Sequence, residues 1–140
     1  IAEIVGKVYA VDANDKLLEQ QRPDNMEFVV SKMEHTPIPD KECDIVFCIS
    51  VLEDIQDPAP APQQFGRFLQ KDRRHVITRD ISFFNDKPCP RYPGMNMATF
   101  TKAVFDANLA FDGSVNLKRN DAVHHEGWNL CVFRCVLKKL

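Results

Sequence analysis

The sequence predicts an α/β fold with helices on both faces of a mostly parallel central sheet. Residues 45–52 form an almost unbroken apolar run with β-branched side chains and one aromatic ring. The run is short for a helix and lacks the alternation of a half-exposed strand, so it indicates a strand buried on both faces of a parallel sheet. Helix-like and strand-like segments alternate around it, which is typical of this fold class. Such sheets bind ligands beyond the carboxyl ends of their strands, so we expect the functional site at residues 48–54.

The composition is that of one globular domain, which we expect to cover residues 1–140. Hydrophobic residues make up 44% of the chain and charged residues 27%, and no apolar run approaches the roughly 20 residues that span a bilayer. The first residues also lack the charged start and apolar core of a signal peptide. A formal net charge of −2 without a large basic cluster argues against nucleic acid as a partner. We therefore expect neither a membrane nor a nucleic-acid partner.

The cysteines favour a reducing cytoplasm over a disulfide framework, because they are five in number and form no CxxC pair. A zinc site could be assembled from His124, His125, Cys131 and Cys135. If the two cysteines lie on one strand, four steps of about 3.3 Å separate their thiols by roughly 13 Å. This is much longer than two Zn–S bonds of about 2.3 Å each, and we predict no metal site.

The first elements lead to a candidate binding residue. Residues 1–5 are predicted as the last turn of a helix and residues 7–11 as a short strand. The polar residues 12–15 can cap a helix that begins near Lys16. In a doubly wound sheet, an acid at this strand tip, here Asp12, can accept hydrogen bonds from both hydroxyls of a nucleotide ribose. The residues alone leave it equally open that Asp12 only starts a turn.

The rest of the chain continues the alternation of helices and strands. Its predicted elements are a strand over 25–30, the buried strand from 43, a helix over 56–69 with prolines in its first turn, a strand over 75–78, a helix over 97–111, a strand over 114–119 and a long strand over 129–137, apolar on both faces.

Several short segments occur in an order that is more specific than any one of them: 8–12, 28–30, 33–34, 37–40, 43–48, 51–55, 57–58 and 65–69. This succession resembles a class I S-adenosylmethionine-dependent methyltransferase of the small-molecule type. The resemblance implies a Rossmann-like methyltransferase fold that ends in an antiparallel hairpin, with the final strand between the two before it. It also implies S-adenosyl-L-methionine as cofactor and a small-molecule acceptor.

The family's first strand and glycine-rich loop would precede Ile1. We therefore expect either a domain that is truncated relative to the family or a homodimer in which a second chain completes the sheet. Direct pairing of the two strands that flank the gap is a third alternative.

The resemblance assigns cofactor-binding roles to Asp12, Ala13, Asn14, Met33, Glu34, Cys48, Ile49 and Ser50. Asp12 would bind the ribose hydroxyls, Met33 would flank the adenine ring, and residues 48–50 would line the methionine portion and the transferred methyl group. Met33 and Ile49 are also compatible with simple core positions. Lys32 stands where the family usually has an acid that accepts from the adenine amino group, so recognition there must depend on backbone groups or on Glu34.

Catalytic and substrate-binding candidates lie further along the chain. If the acceptor is a hydroxyl, a base is needed, and the candidates are His124, His125, Asp54 and Glu53. The proline-rich loop over residues 80–94 carries the candidate substrate-binding residues Phe83, Phe84, Arg91 and Tyr92. The same loop is equally compatible with a rigid connector whose aromatic residues are buried.

Two other functions remain open at this stage. One is a degenerate methyltransferase-like domain that serves as a binding or oligomerisation module, which Lys32 and the missing first strand favour. The other is a nicotinamide-dependent oxidoreductase, in which Asp12 would have the same ribose-binding role.

Overall fold

The computed structural model describes residues 2–19, 21–55, 59–81, 97–115, 123–125 and 130–140. The chain divides into two compact units, Ile1–Pro39 and Asp40–Leu140. The described strands are β1 (Val8–Asp12), β2 (Met26–Val30), β3 (Cys43–Ile49), β4 (Leu69–Ile81), β5 (Leu109–Phe111), β6 (Val123–His125) and β7 (Leu130–Lys139), and the α-helices are α1 (Ala61–Phe68) and α2 (Met97–Asp106). No helix in the described part of the chain is long and apolar enough to cross a membrane.

The first unit is built on a parallel pair of strands. β1 and β2 pair from Val8 opposite Met26 to Asp12 opposite Val30, so both predicted strands are confirmed. The turns around them are short 3-10 helices over Ala2–Ile4, Asp15–Glu19 and Met33–His35. The predicted cap before Lys16 is also confirmed, because the side-chain oxygen of Asn14 accepts a hydrogen bond from the Lys16 N–H at 3.0 Å.

The second unit contains a mixed sheet, with the strand order β3-β4-β7-β5 and with β6 also paired to β7. β3 and β4 are parallel, whereas β7 runs antiparallel to β4, β5 and β6. β7 lies beside β4, as expected, but its neighbour on the other side is β5, at residues predicted as helix, and not a strand over 114–119. The expectation of a mostly parallel sheet was wrong, because the final antiparallel strand supplies most of the pairing and β1 and β2 form a separate two-stranded sheet.

Both α-helices pack on one face of this sheet. The Phe65 ring of α1 lies against the His75 ring of β4, with 4.0 Å between the centroids, and the Phe100 ring of α2 lies 6.2 Å from that of Phe133 in β7. His75 is paired with Leu137, which shares a face of β7 with Phe133 because side chains alternate along a strand. The described α-helices therefore lie on one face, whereas the sequence predicted helices on both.

The strand β3 differs most from expectation. Of its residues only Cys48 is buried, whereas Ile45, Phe47 and Ile49 are 43%, 47% and 51% exposed. These three alternate residues share the face opposite the α-helices, and no strand other than β4 pairs with β3 in the described part of the chain. The prediction of burial on both faces was wrong, because an apolar run sets the composition of a strand but not its neighbours.

Several predicted boundaries also change. α1 begins at Ala61 rather than at residue 56, and β4 runs over Leu69–Ile81 rather than 75–78. α1 ends at Phe68, and Leu69 already begins β4 rather than ending the helix. α2 ends at Asp106 and not at residue 111, because Asn108 has a φ of 56°, a left-handed conformation that stops a helix. The strand predicted over 114–119 is not formed at Ser114 and Val115, and its remaining residues lie outside the described part.

Candidate functional site

The carboxyl ends of β1 and β2 bring together the first group of predicted residues. The backbone carbonyl of Asp12 accepts a hydrogen bond from the N–H of Ser31 at 2.9 Å, so the two strands stay paired to their tips. Ala13 and Asn14 follow Asp12, the last residue of β1, and the 3-10 helix with Met33 and Glu34 begins three residues after Val30, the last residue of β2. Asp12, Ala13 and Asn14 are all exposed. The first unit thus presents an exposed carboxylate at a strand tip.

The Asp12 side chain takes part in a turn. Its Oδ1 accepts a hydrogen bond from the backbone N–H of Asn14 at 2.9 Å, which is the Asx-turn geometry typical of aspartate at the start of a loop. An ionised carboxylate has about four acceptor positions on its two oxygens. Asp12 therefore does start a turn, as the alternative interpretation of the sequence predicted. Its carboxylate still has acceptor positions for a ribose.

The segment predicted to contact adenine is held by a threonine. The buried hydroxyl of Thr36 donates to the carbonyls of Met33 at 3.1 Å and Lys32 at 3.3 Å. Met33 and Glu34 are half-buried, whereas Lys32 is exposed. The backbone of this segment is thus fixed, and Lys32 lies in solvent rather than in the body of the unit.

The tip of β3 contains the second group of predicted residues. Cys48 is 3% exposed and Ile49 is 51% exposed, because successive side chains of a strand point to opposite faces. Ser50 follows with a φ of 50°, a left-handed conformation that is uncommon outside glycine. Its N–H donates to the hydroxyl of Thr78 at 3.0 Å and lies 3.4 Å from the Thr78 carbonyl. The chain therefore turns sharply at the end of β3.

The Cys48 thiol is protonated at neutral pH. Burial, together with the nearby Glu53 carboxylate, raises the pKa of Cys48 to about 12. The thiolate is the nucleophilic form of cysteine. Cys48 can therefore line a binding site without itself acting as a nucleophile.

The residues after Ser50 form a turn anchored in the core. Leu52 is 1% exposed, and the N–H of Asp54 donates to the carbonyl of Val51 at 3.1 Å. Asp54 is exposed. Leu52 is thus a core anchor, while the candidate base Asp54 is accessible to solvent.

The structure places the backbone of His124 and His125 at the end of the sheet where β3 and β4 also end. His124 pairs with Cys131 in β7, and Cys131 pairs in turn with Ile81, the last residue of β4. Because β6 and β3 are three strand spacings apart, their backbones are separated by roughly 14 Å. The histidines therefore share a sheet end with residues 48–50 without being adjacent to them, and their side chains lie outside the described part.

The remaining predicted residues are not tested by the structure. Phe83, Phe84, Arg91 and Tyr92 lie outside the described residues. Within the residues that are described, no group of three or more His, Cys, Asp or Glu side chains is arranged to hold a metal ion.

Sequence reasoning missed Thr78. It is a polar residue at the end of a predicted apolar strand, and its sequence context gives no other sign of a functional role. Its importance depends on pairing with β3, where it lies opposite Ile49. The contact joins residues 28 positions apart, which no local pattern predicts.

Comparison with protein families matches residues 1–77 of the 140 to a methyltransferase domain. The chain belongs to the methyltransferase domain family. The matched residues contain both groups described above, at the tips of β1 and β3. The resemblance noted in the sequence is thereby confirmed.

Solved structures agree with this family at the level of the fold. An S-adenosylmethionine-dependent methyltransferase from Mesorhizobium loti is 12% identical, with a TM-score of 0.73 and coverage of 96% of this chain and 81% of that one. A SAM-dependent methyltransferase from Methanosarcina mazei is 12% identical, with a TM-score of 0.69 and coverage of 96% and 82%. The fold is therefore that of Rossmann-like methyltransferases.

The same fold also occurs in a protein with another activity. The cyclase SpnF is 11% identical, with a TM-score of 0.68, and the match covers 95% of this chain but only 66% of the cyclase. The chain thus spans slightly less than two thirds of that protein's length. A search of curated proteins finds no match.

Proposed function

We propose that this protein is an S-adenosylmethionine-dependent methyltransferase that acts on a small molecule. The observation that carries the proposal is the family match over residues 1–77, which includes every residue predicted to bind the cofactor. The proposal assigns the ribose to the tip of β1, the adenine to the segment after β2 and the methionine portion to the tip of β3.

Asp12 fits the ribose role in charge and in position. Its carboxylate is exposed at a strand tip, and its one hydrogen bond within the described residues, to Asn14, leaves acceptor positions for two hydroxyls. Hydrogen bonds to a charged group contribute about 1.5–3 kcal/mol each. Asp12 is therefore the residue whose change should affect cofactor affinity most.

The tip of β3 would provide an uncharged environment at the reacting end. When bound, S-adenosylmethionine supplies a methyl group activated by its sulfonium charge. Cys48 is neutral because burial raises its pKa to about 12, so it would not compete with the acceptor as a nucleophile. The role of this segment would be to hold the methyl group in line with the acceptor and to exclude water, effects worth roughly 7–11 kcal/mol in enzymes.

If the acceptor is a hydroxyl, a base would come from the end of the second unit's sheet at which β3 and β4 end. Asp54 is exposed in the turn after β3, and the backbone of His124 and His125 lies on β6. Histidine has an ordinary pKa near neutrality and is the more suitable base. Phe83, Phe84, Arg91 and Tyr92 remain the proposed contacts to the small molecule.

Calorimetric titration with S-adenosylmethionine and its demethylated product tests the proposal. We expect one site per chain in the wild type and about 10–100-fold weaker binding in Asp12→Asn. Asp24→Asn is the matched control, because Asp24 is also an exposed acid of the first unit, and it should bind as the wild type does. A folded wild-type chain that binds neither ligand would contradict the proposal, and binding of reduced nicotinamide instead would favour an oxidoreductase.

A second candidate function is a module that binds another chain, including a homodimer that completes the sheet. It is favoured by the apolar face of Ile45, Phe47 and Ile49 on a strand with one unpaired edge in the described residues, since such edges readily pair with other chains. Light scattering tests it: a dimeric mass that becomes monomeric in Phe47→Lys supports the module, and a monomeric wild type contradicts the homodimer.

The proposed location is a reducing cytoplasm. Cys43, Cys48 and Cys135 carry free thiols in the structure, which is the state that such a compartment maintains. Thiol titration of the denatured protein, purified without reductant, should find all five cysteines reduced.

A further inference from the structure

The end of the β3-β4 ladder depends on a side chain. The last backbone contact of the ladder, from the Ser50 N–H to the Thr78 carbonyl, is long at 3.4 Å. The Thr78 hydroxyl accepts from the same N–H at 3.0 Å, which is a normal hydrogen-bond length. The side chain of Thr78 therefore replaces the weakening backbone bond at the point where the chain leaves the sheet.

This contact coincides with a backbone conformation that needs support. Ser50 has a φ of 50°, and a left-handed conformation is unfavourable for residues other than glycine because the Cβ atom approaches the carbonyl. A residue in such a conformation persists only where its surroundings hold it. The bond to Thr78 fixes one side of the turn, and the buried Leu52 fixes the other.

Thr78 is well placed to act as a fixed point. It lies on β4, which is paired on both sides, opposite Ile49 of β3 and opposite Arg134 of β7. Its β-branched side chain has few χ1 rotamers, and the hydrogen bond from the Ser50 N–H favours the one that directs the hydroxyl at Ser50. The acceptor is therefore rigid, and the turn it holds carries residues 48–50.

We propose that Thr78 is a positioning residue for the methionine portion of the cofactor. This inference rests on the proposed function. The Thr78 hydroxyl keeps Ser50 in its left-handed conformation and thereby sets the direction of the backbone between Cys48 and Ser50. Thr78 acts only through the Ser50 N–H and does not itself touch the cofactor.

Two substitutions isolate the hydroxyl. Thr78→Val keeps the shape and branching of the side chain but removes the acceptor, whereas Thr78→Ser keeps the acceptor. Thr101→Val is the matched control, because it makes the same change at a half-buried threonine on α2. Each variant is titrated with S-adenosylhomocysteine, which carries the amino-acid portion, and with adenosine, which lacks it.

The expected result is selective. Thr78→Val should bind S-adenosylhomocysteine about fivefold to tenfold more weakly, the equivalent of one lost hydrogen bond, while its adenosine affinity stays within about twofold of wild type. Thr78→Ser should recover most of the loss, and Thr101→Val should show none. Equal weakening for both ligands, or no weakening, would overturn the inference while leaving the proposed function intact.

Amide exchange separates the inference from the proposed function. The Ser50 amide should lose protection in Thr78→Val and keep it in Thr78→Ser, with or without ligand. If the wild type binds neither ligand, the proposed function fails and the cofactor role of Thr78 fails with it. Amide exchange then still tests whether Thr78 holds the turn at Ser50. Unchanged protection of the Ser50 amide in Thr78→Val would overturn this structural role as well.

Discussion

His75 makes the stability of the second unit sensitive to acid. It is 0% exposed in the middle of β4, between Val46 of β3 and Leu137 of β7 and beneath the Phe65 ring. Neither ring nitrogen has a hydrogen-bond partner among the described residues. Burial lowers the pKa of His75 from 6.5 to about 3, because a protonated ring cannot be solvated there.

The sign and size of the effect follow from the two pKa values. Below pH 6.5 the unfolded chain binds a proton at this position and the folded chain does not. The unfolding free energy therefore decreases as the pH falls from 6.5 towards about 3. One pH unit corresponds to about 1.36 kcal/mol. Between pH 7 and pH 5 the loss is therefore about 2 kcal/mol, a large part of a typical domain stability of about 5–15 kcal/mol.

Urea unfolding at pH 7 and pH 5 tests this for the wild type and for His75→Leu. Between pH 7 and pH 5, the unfolding free energy of the wild type should fall by about 2 kcal/mol more than that of His75→Leu. Groups that titrate equally in both proteins cancel in this difference. His35→Gln is the control, since His35 is exposed, and it should retain the wild-type pH dependence. Equal decreases in wild type and His75→Leu, or a His75 ring that titrates above pH 6 by NMR, would refute the reasoning.

Two further predictions concern packing and reactivity. A Cβ atom added at Gly66 would lie 2.7 Å from the backbone carbonyl oxygen of Ala107, so Gly66→Ala should lower the unfolding free energy by about 1–3 kcal/mol. The control is Gly6→Ala, where the added Cβ has nothing within 4 Å and the unfolding free energy should change by less than about 0.5 kcal/mol. Equal denaturation midpoints for the two variants would contradict the close approach at Gly66. Native alkylation at pH 8 followed by mass spectrometry should modify the half-buried Cys43 well before Cys48, whose pKa is raised to about 12, and preferential labelling of Cys48 would show that its burial is wrong.

Local sequence patterns predicted the elements whose formation depends on neighbours along the chain. The β-branched residues of β1 and β2 and the polar cap at Asn14 are local signals, and the structure confirms them. The exposure of Ile45, Phe47 and Ile49 could not be predicted, because it depends on which elements cover β3. The helix predicted through residue 111 failed for a related reason: its apolar spacing continues past Asn108, while the backbone reverses there.

The candidate site follows the same division. Asp12 and the residues at the tip of β3 were predicted, because strand tips can be located from the strands themselves. The turn at Ser50 and its bond to Thr78 were not, since they require the register of β3 against β4. The extent of antiparallel pairing was underestimated for the same reason, because β4, the partner along most of β7, lies far from it in the sequence.

An NMR titration of the chain with S-adenosylhomocysteine tests the proposed function most directly. We expect saturable amide shifts at Asp12 and Asn14 and also at Ile49 and Ser50, because cofactor-binding roles are proposed for these residues. A folded chain that shows no saturable shift at any of them would contradict the proposed function.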